Sequence, residues 1–585
     1  MSPAKVVLSI CLLATLALFG AGPATQHQEA RFRIWVESPM QRIHPDSPPR
    51  GKTAADLYAA RNETEGFQVG VSSSGARVEG MTATISDLED GHGNRIERKA
   101  ISLYRPEFVY IRKPSPYSSS PPAWWPDPLV PCADPFGSLL PGNHLGSRRS
   151  EESALRRAGP RFPGMPFDLW PGRNQSLWVE ITVPKDTPAG NYTGKLTFWV
   201  GNQESMSVPI RLVVWNFSLP DGPALAGHFG TFEGVATKHE LTPGSVASME
   251  VETRYVEELS RHRLDPPIPS FLRPPVRADG NVEWKKVHER LKQYVASHHV
   301  RSIEIPAAPF ADPLRAHRKQ TLRYLRGYYD YLKANGWEKG AYYFPINEPN
   351  SQESYEWVRE YARLVHEANP HIRFLCTEQP YPQDPVWGDL RGSVDIWCPL
   401  FAYYDQESAD AVRALGNQVW VYNALCQKAP PFHPNFPQVG GHPSLFWQID
   451  FPVLNFRIPM WLVWRNRIQG LLYWSTVNWD NPARDVWTDP AYRNRYNGEG
   501  FLLYPGLDAG IEGPVPSIRL KALRDGMEDY LYFELLASMG ESEFVRSQTS
   551  AIASSWWKWE ENPEELAKVR MAIARRILEK QAGLQ

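Results

Sequence analysis

From Phe32 to about Leu219 the chain alternates apolar and polar residues in short runs, and Gly, Pro and Asn separate the runs. FRIWVES, EGFQVGVSS, TATISDL, SLWVEITVP, GKLTFWV and SVPIRLVVW each have strand length, and AGNYTG reads as a turn between two of them. A β-sandwich over residues 25–222 is expected. Arg112 to Arg173, with SPPAWWPDPLVP, has no regular period and reads as an irregular insertion that packs over a neighbouring domain or reaches into its site. After Pro220 short apolar runs alternate with helix-like stretches, the pattern of parallel βα units. AGHFGTF, HRLDP, RSIEIPA, AYYFPIN, IRFLCTE, VDIWCPLF, QVWVYNAL and GLLYWST are the candidate strands. Glu252 to His262, Trp284 to His298, Arg318 to Asn335, Ser354 to Asn369 and Ile458 to Gln469 carry the 3.6-residue apolar spacing of helices. This pattern predicts a (β/α)8 TIM-type barrel over residues 223–515. From Pro516 the chain is strongly helical, with a second amphipathic run from Glu561 to Lys580, so residues 516–585 are expected to pack on the barrel as C-terminal helices.

A chain of 585 residues is too long for one core, consistent with this multidomain reading. Its 63 Lys+Arg against 65 Asp+Glu leave no basic field for nucleic acid and no acidic tail, so a neutral partner is expected. The 22 Trp, 25 Tyr and 54 Pro suit rigid loops around a sugar-stacking cleft, and equally the core of a large β-rich enzyme. At the N-terminus Lys5 precedes an apolar run from Val6 to Phe19 that breaks at Gly20 to Ala24, the layout of a signal peptide over residues 1–24. Export to the periplasm or the exterior follows as an expectation, with an uncleaved anchor as the alternative. The run is shorter than the roughly 20 apolar residues of a membrane helix, and no later stretch qualifies, so no transmembrane span is expected after signal removal. Cys132, Cys376, Cys398 and Cys426 are too few for a disulfide scaffold, and three of them fall in or just after barrel strands, where buried free thiols are expected. No Cys-x-x-Cys or His-Glu-x-x-His string occurs, so neither a metal nor a cofactor is implied.

Functional groups of such barrels project from the C-terminal ends of the strands. AYYFPINEP places Asn347 and Glu348 just after the fourth candidate strand. A carboxyl partly shielded there can hold a proton near neutral pH and pass it to a departing glycosidic oxygen. A loop carboxylate capping the helix near Ser351 would explain the same residue. Tyr403 and Tyr404 after strand six, Tyr422 in strand seven, and Trp474 and Trp479 at strand eight offer faces on which a sugar can stack. Alternation puts Tyr473 and Trp474 on opposite faces, with Trp474 read as inward. Asn478 and Asp480 flank Trp479 and suit either sugar hydroxyls or a turn. Arg524, Asp525, Glu528 and Asp529 in RDGMEDY have helical spacing and read as ion-pairing, docking residues. The glycine-punctuated NGEGFLLYPG, Asn497 to Gly506, is placed to line the cleft, although tight turns alone would explain its glycines.

AARNETEGFQVG, WWPDPLVP, NQSLWVEITVPKDTPAGNYTGKLTF, GLLYWSTVNW and IRLKALRDGMEDYLYFELL together resemble glycoside hydrolase family 123 and its uncharacterised relatives, in order and over nearly the whole mature chain. The resemblance implies a sandwich domain, a catalytic barrel and hydrolysis of terminal β-N-acetylgalactosamine. It also implies substrate-assisted catalysis, in which the acetamido oxygen of the sugar attacks the anomeric carbon. In the family an Asp-Glu pair follows strand four, the Asp holding the acetamido group and the Glu serving as acid and then base. Here the pair is Asn347-Glu348, so Glu348 carries over as acid/base and Asn347 by position only. An Asn-Glu pair also resembles the retaining barrel glycosidases, whose nucleophilic carboxylate follows strand seven. Strand seven here ends in Asn423, and the nearest replacements are Glu378 after strand five, Asp405 after strand six and Glu233 after strand one. Three readings stand at this point: a β-N-acetylgalactosaminide hydrolase, a glycosidase on a neutral glycan with a different second carboxylate, and a carbohydrate-binding barrel without turnover.

Overall fold

The computed structural model describes residues 32–73, 75–136, 160–479 and 484–583, so the expected signal peptide and Asp480 lie outside the described residues. A five-stranded sheet runs in the order Phe32–Glu37, Thr64–Ser73, Asn174–Thr182, Ile101–Ile111, Ala123–Pro131. A second sheet is built on Ala55–Arg61, Gln203–Ser218, Gly190–Val200, Val78–Ile85 and Phe167–Leu169. Phe67, Val69, Leu177 and Val179 of the first sheet share one apolar core with Leu196, Phe198, Ile210 and Leu212 of the second. The pairing Leu177 to Val69 and Val179 to Phe67 puts these side chains on one face, as alternation requires.

Two local expectations change. AWWPDPLVP is not irregular but forms the strand Ala123–Pro131. Its prolines lack the N–H a central strand must donate, which explains why it stands at the edge of its sheet. AGNYTG is not a turn: from Gly190 onward it is strand, with Asn191 opposite Val213 and Gly194 opposite Ile210.

The following region is a curled parallel sheet in the order Ala226–His228, Gly470–Tyr473, Gln418–Asn423, Ile396–Trp397, Arg373–Cys376, Ala341–Tyr343, Ile303–Ile305. Alternation sorts its side chains. Tyr342, Leu375, Ile396, Trp420, Tyr422 and Leu472 meet on the concave face, with Trp474 packed against them, while Tyr343, Phe374, Trp397, Val421 and Tyr473 join the core under the helices. Cys376, Cys398 and Cys426 are buried free thiols. The expected eighth strand does not form. Among the described residues the parallel sheet has seven strands, and HRLDP carries no ladder between Ala226–His228 and Ile303–Ile305. The buried Asp265 takes the place of that ladder. Its carboxylate accepts from the backbone N–H of Gly227 at 3.3 Å, Arg301 at 2.9 Å and Ser302 at 2.8 Å, and from the Ser302 hydroxyl at 2.6 Å. Pro266 and Pro267, which follow, have no N–H to offer a neighbouring strand.

The helix Ile518–Leu536, capped by Ser517, is buried along most of its length. The RDGMEDY residues dock it. Arg524 donates to Glu180 at 2.6 Å and Lys521 reaches the same carboxylate at 2.8 Å. Asp529 takes both branches of Arg457, at 2.7 and 2.8 Å, and the indole N–H of Trp461 at 2.9 Å. From the helix Pro563–Ala582, Arg570 pairs with Asp529 at 3.0 Å, with Glu65 at 2.9 Å and with Glu63. Burial works against charge on Glu180, but Arg524 and Lys521 outweigh it and hold that carboxyl well below the usual carboxylate range. Removing one partner of a buried pair strands the other, at a cost of about 3–5 kcal/mol. Asp529→Ala is therefore expected to destabilise the fold by about that amount, read as a lowered denaturation midpoint, whereas exposed Glu543→Ala leaves it within about 0.5 kcal/mol.

Candidate active site

The strand Ala341–Tyr343 delivers the chain to the concave mouth, where Asn347 and Glu348 are exposed. Glu348 has φ of +46°, a conformation that costs a non-glycine residue about 1–3 kcal/mol and persists only where its surroundings hold it. Its N–H donates to the Thr377 hydroxyl at 2.7 Å, and the buried Pro349 follows it. The carboxylate accepts from the Tyr422 hydroxyl at 2.7 Å through Oε1. Burial raises the Tyr422 phenol well above its ordinary value, and the Glu348 charge adds to this, so Tyr422 stays a donor. Glu348 is not a helix cap: Ser351 caps the helix Gln352–Ala368 in a reciprocal pair with Ser354. Thr377 donates its hydroxyl proton to Asn347 Oδ1 at 2.9 Å, so one hydroxyl positions both members of the pair.

Glu378, one residue beyond Thr377, is 2% exposed. Tyr355 donates to its Oε1 at 2.6 Å, Gln379 donates to the same oxygen, and Gln383 reaches both oxygens at 3.2 and 3.1 Å. Burial pushes this carboxyl up to about 8, against the lowering effect of those donors and with the Glu348 charge adding to the rise. Tyr403 joins the same wall; burial raises its phenol, as do the charges of Glu348 and Glu378. Tyr381 fixes that wall by donating to the Tyr403 carbonyl at 2.6 Å.

Of the aromatics read from the sequence, Tyr403, Tyr422 and Trp474 meet in the concave cluster. The Trp474 indole N–H donates to Glu499 at 2.7 Å, and Gly500 lies so close that a Cβ there would sit 2.3 Å from the ring, so the Asn497 to Gly506 loop is moulded to Trp474. Tyr404 is turned away from the mouth, with its hydroxyl on Gln406 and its ring against Trp556. Trp479 is likewise core: it donates to the Leu503 carbonyl at 3.1 Å and packs edge-on against Tyr255. Asp405 caps the helix Gln406–Ala414 and accepts from Asn435, and Glu233 is exposed on the loop after Ala226–His228. Thr377, Tyr355, Tyr381 and Gln383 escaped the sequence reading. For Thr377, Tyr381 and Gln383 the only signal was the polar density of CTEQPYPQ after a strand, and Tyr355 comes from the helix Gln352–Ala368. Among the described residues no group of three His, Cys, Asp or Glu side chains is arranged to hold a metal ion, and no helix is long and apolar enough to cross a membrane.

An exposed glutamate thus lies beside a buried one in the mouth of a parallel sheet with a tyrosine wall. Residues 282–536, which contain Asn347, Glu348, Glu378 and the docking helix, match the family model Glycoside hydrolase 123, catalytic domain. In three dimensions the chain resembles a family 123 glycoside hydrolase from Clostridium perfringens, studied for glycolipid glycan hydrolysis, with a TM-score of 0.63 at 12% identity over 94% of this chain and 97% of that one. A family 39 glycoside hydrolase from Bacteroides cellulosilyticus overlaps at a TM-score of 0.30 and 13% identity, covering 61% of this chain and 74% of its own. A family 5 xyloglucanase from Bacteroides ovatus does so at 0.26 and 8%, covering 82% and 99%. Both are too distant to carry an argument. None of the curated proteins matches the sequence. Residues 282–536 thus resemble the catalytic domain of glycoside hydrolase family 123, and the chain is a glycosyl hydrolase.

Proposed function

We propose that this enzyme removes a terminal β-linked 2-acetamido sugar from a glycan by substrate-assisted catalysis, in an exported setting consistent with its apolar N-terminal run. The observation that carries the reading is the contrast between the two carboxyl groups. Glu348 is exposed at the mouth, whereas Glu378 is buried with both oxygens already engaged by Tyr355, Gln379 and Gln383, so it is not presented as a free nucleophile. The missing nucleophile is then the substrate's own acetamido oxygen. Glu348 passes its proton to the glycosidic oxygen as the C1–O bond breaks and the acetamido oxygen bonds to C1. Water then attacks C1 and gives its proton to the Glu348 carboxylate as the bond between C1 and the acetamido oxygen breaks, which restores the acid and the acetamido group and releases the sugar.

Asn347 favours a second reading in one respect. Because its Oδ1 accepts from Thr377, its N–H2 is the group left for the cleft, and that donor suits a sugar 2-hydroxyl on a neutral glycan. An amide also lacks the charge that would stabilise an oxazolinium-like intermediate, a loss worth on the order of 2–4 kcal/mol. Asn347→Asp is therefore expected to raise kcat on an aryl β-N-acetylgalactosaminide by roughly ten- to a thousandfold. No gain, combined with turnover of an aryl β-glucoside or β-galactoside, overturns the substrate-assisted reading in favour of the neutral glycan.

Hydrolysis of a panel of aryl β-glycosides by wild type and Glu348→Gln tests the activity itself. Release by the wild type with loss of at least about a hundredfold in the variant is expected. Release that survives in Glu348→Gln would show that Glu348 is not the acid. The state of Glu378 is open to direct measurement. A carboxyl raised to about 8 stays protonated as pH rises through its ordinary range and ionises only near 8. Infrared difference spectra of wild type against Glu378→Gln should show a protonated carboxyl band that persists at pH 7 and fades near pH 8. A band lost by pH 5 would return Glu378 to the list of nucleophiles.

A further inference from the structure

Away from the mouth, a cavity of about 540 Å3 opens between the five-stranded N-terminal sheet and residues 450–455, which lead into the helix Leu454–Arg465. Trp35, Arg42 and Trp125 line it on the side of the sheet, and Trp559 and Glu561 line it as well. None of the residues that contact Asn347, Glu348 or Glu378 belongs to this lining.

Arg42 is held incompletely. Its side chain is only 5% exposed; Nη1 donates to the Pro126 carbonyl and lies 3.7 Å from Asp127. Asp127 is committed elsewhere, because Arg519 takes it through Nε at 3.0 Å and Nη2 at 3.0 Å and Tyr504 donates to it at 2.7 Å. Asp450, on the same cavity, is no substitute: its two oxygens accept from the Ser115 N–H and hydroxyl. The Nε and Nη2 groups of Arg42 have no hydrogen-bond partner among the described residues. Neither has the indole N–H of Trp125, whose ring centroid lies 5.7 Å from the Arg42 guanidinium carbon. Burial lowers the guanidinium to about 10 against the pull of Asp127, so Arg42 is still a cation at pH 7. Buried donors are nearly always paired, so the acceptor for these three groups is expected from what enters the cavity.

Nε and Nη2 form the edge with which an arginine grips a planar carboxylate through two parallel bonds. The protein uses that edge twice elsewhere, from Arg457 to Asp529 and from Arg519 to Asp127. Glu37 and Glu561 also line the cavity, so a dianion such as phosphate meets repulsion there. A singly charged ligand whose other groups are hydroxyls fits better, because hydroxyls donate to these two carboxylates. Trp559 and Tyr117, the latter 57% exposed, bring apolar rings of the kind a sugar covers. We infer that the cavity is a binding site for an acidic sugar, a hexuronate, whose carboxylate lies along the Nε–Nη2 edge of Arg42 and accepts from Trp125. Its volume holds one pyranose ring with room to spare. The site is independent of which sugar Glu348 acts on, and it gives the enzyme a second point of attachment to glycans that carry uronic acid.

The test is calorimetric titration of the full-length protein with methyl β-D-glucuronide and methyl β-D-glucoside, which differ only at C6. The glucuronide is expected to bind at least about tenfold more tightly. That preference is expected to disappear in Arg42→Lys, which keeps the charge and loses the paired N–H edge. Trp125→Phe removes only an N–H that has no partner in the fold. It is expected to weaken the glucuronide by about threefold or more and to leave the glucoside and the denaturation midpoint unchanged. Glu348→Gln is expected to bind the glucuronide as the wild type does. Equal binding of the two glycosides, or a preference that survives both Arg42→Lys and Trp125→Phe, overturns the site. So does a preference lost in Glu348→Gln, which would place the glucuronide at the mouth, and so does tighter binding of inorganic phosphate than of the glucuronide, which would make this a general oxyanion pocket.

Discussion

Asp529 lies between arginines from two other helices, Arg457 and Arg570, and one turn earlier Arg524 and Lys521 converge on Glu180 from the N-terminal sheet. Taking ions out of water costs several kcal/mol each, and the cost is recovered only where partners meet at hydrogen-bond distance. Apolar contacts would tolerate sliding of one layer over another; these pairs do not. They fix the helix Ile518–Leu536 against the strand Asn174–Thr182, the helix Leu454–Arg465 and the helix Pro563–Ala582 at one register. The helix Leu454–Arg465 leads into Gly470–Tyr473, the strand that carries Trp474 to the concave face. A network remote from the chemistry thereby fixes one wall of the mouth.

What could be read in the sequence depended on whether a residue's partner was near in the chain. QVWVYNAL and GLLYWST declare themselves by alternation, and the facing of Tyr473 and Trp474 followed from it. Glu348 was legible because a polar pair at the end of an apolar run needs only local evidence. HRLDP was not, because a strand there was replaced by a side chain: Asp265 gathers donors from Gly227, Arg301 and Ser302, residues up to 38 positions away. Tyr404 and Trp479 looked like strand-end aromatics, yet Trp556 and Leu503, which claim them, come from distant segments. RDGMEDY was readable as a docking surface from its helical spacing, but its partners Glu180 and the Thr64 N–H belong to the other end of the chain.

The raised proton affinity of Glu378 is a property of the same non-local kind. Its position after Thr377 was visible, but its state is set by burial, which Tyr355 of the helix Gln352–Ala368 and Gln383 of the following loop help to close.

Thr377 explains how Asn can stand where the family places Asp. A hydroxyl has one proton to donate and lone pairs to accept with, and Thr377 uses the first on Asn347 Oδ1 and the second on the Glu348 N–H. An aspartate at 347 would accept that same proton through one oxygen, so the exchange leaves the Glu348 backbone, with its φ of +46°, where it is. What changes is what the pair shows the sugar: an amide N–H2 here, a charged oxygen there. On the proposed mechanism the first donates to hydroxyls or to the acetamido carbonyl, where a donor draws electron density from the oxygen that would attack C1, and the second would accept from the acetamido N–H and drive density toward that oxygen. On that reading position 347 retunes the site between hydroxyl-bearing and acetamido-bearing sugars without disturbing Glu348, because the Thr377 hydroxyl holds the Glu348 N–H whichever residue stands at 347.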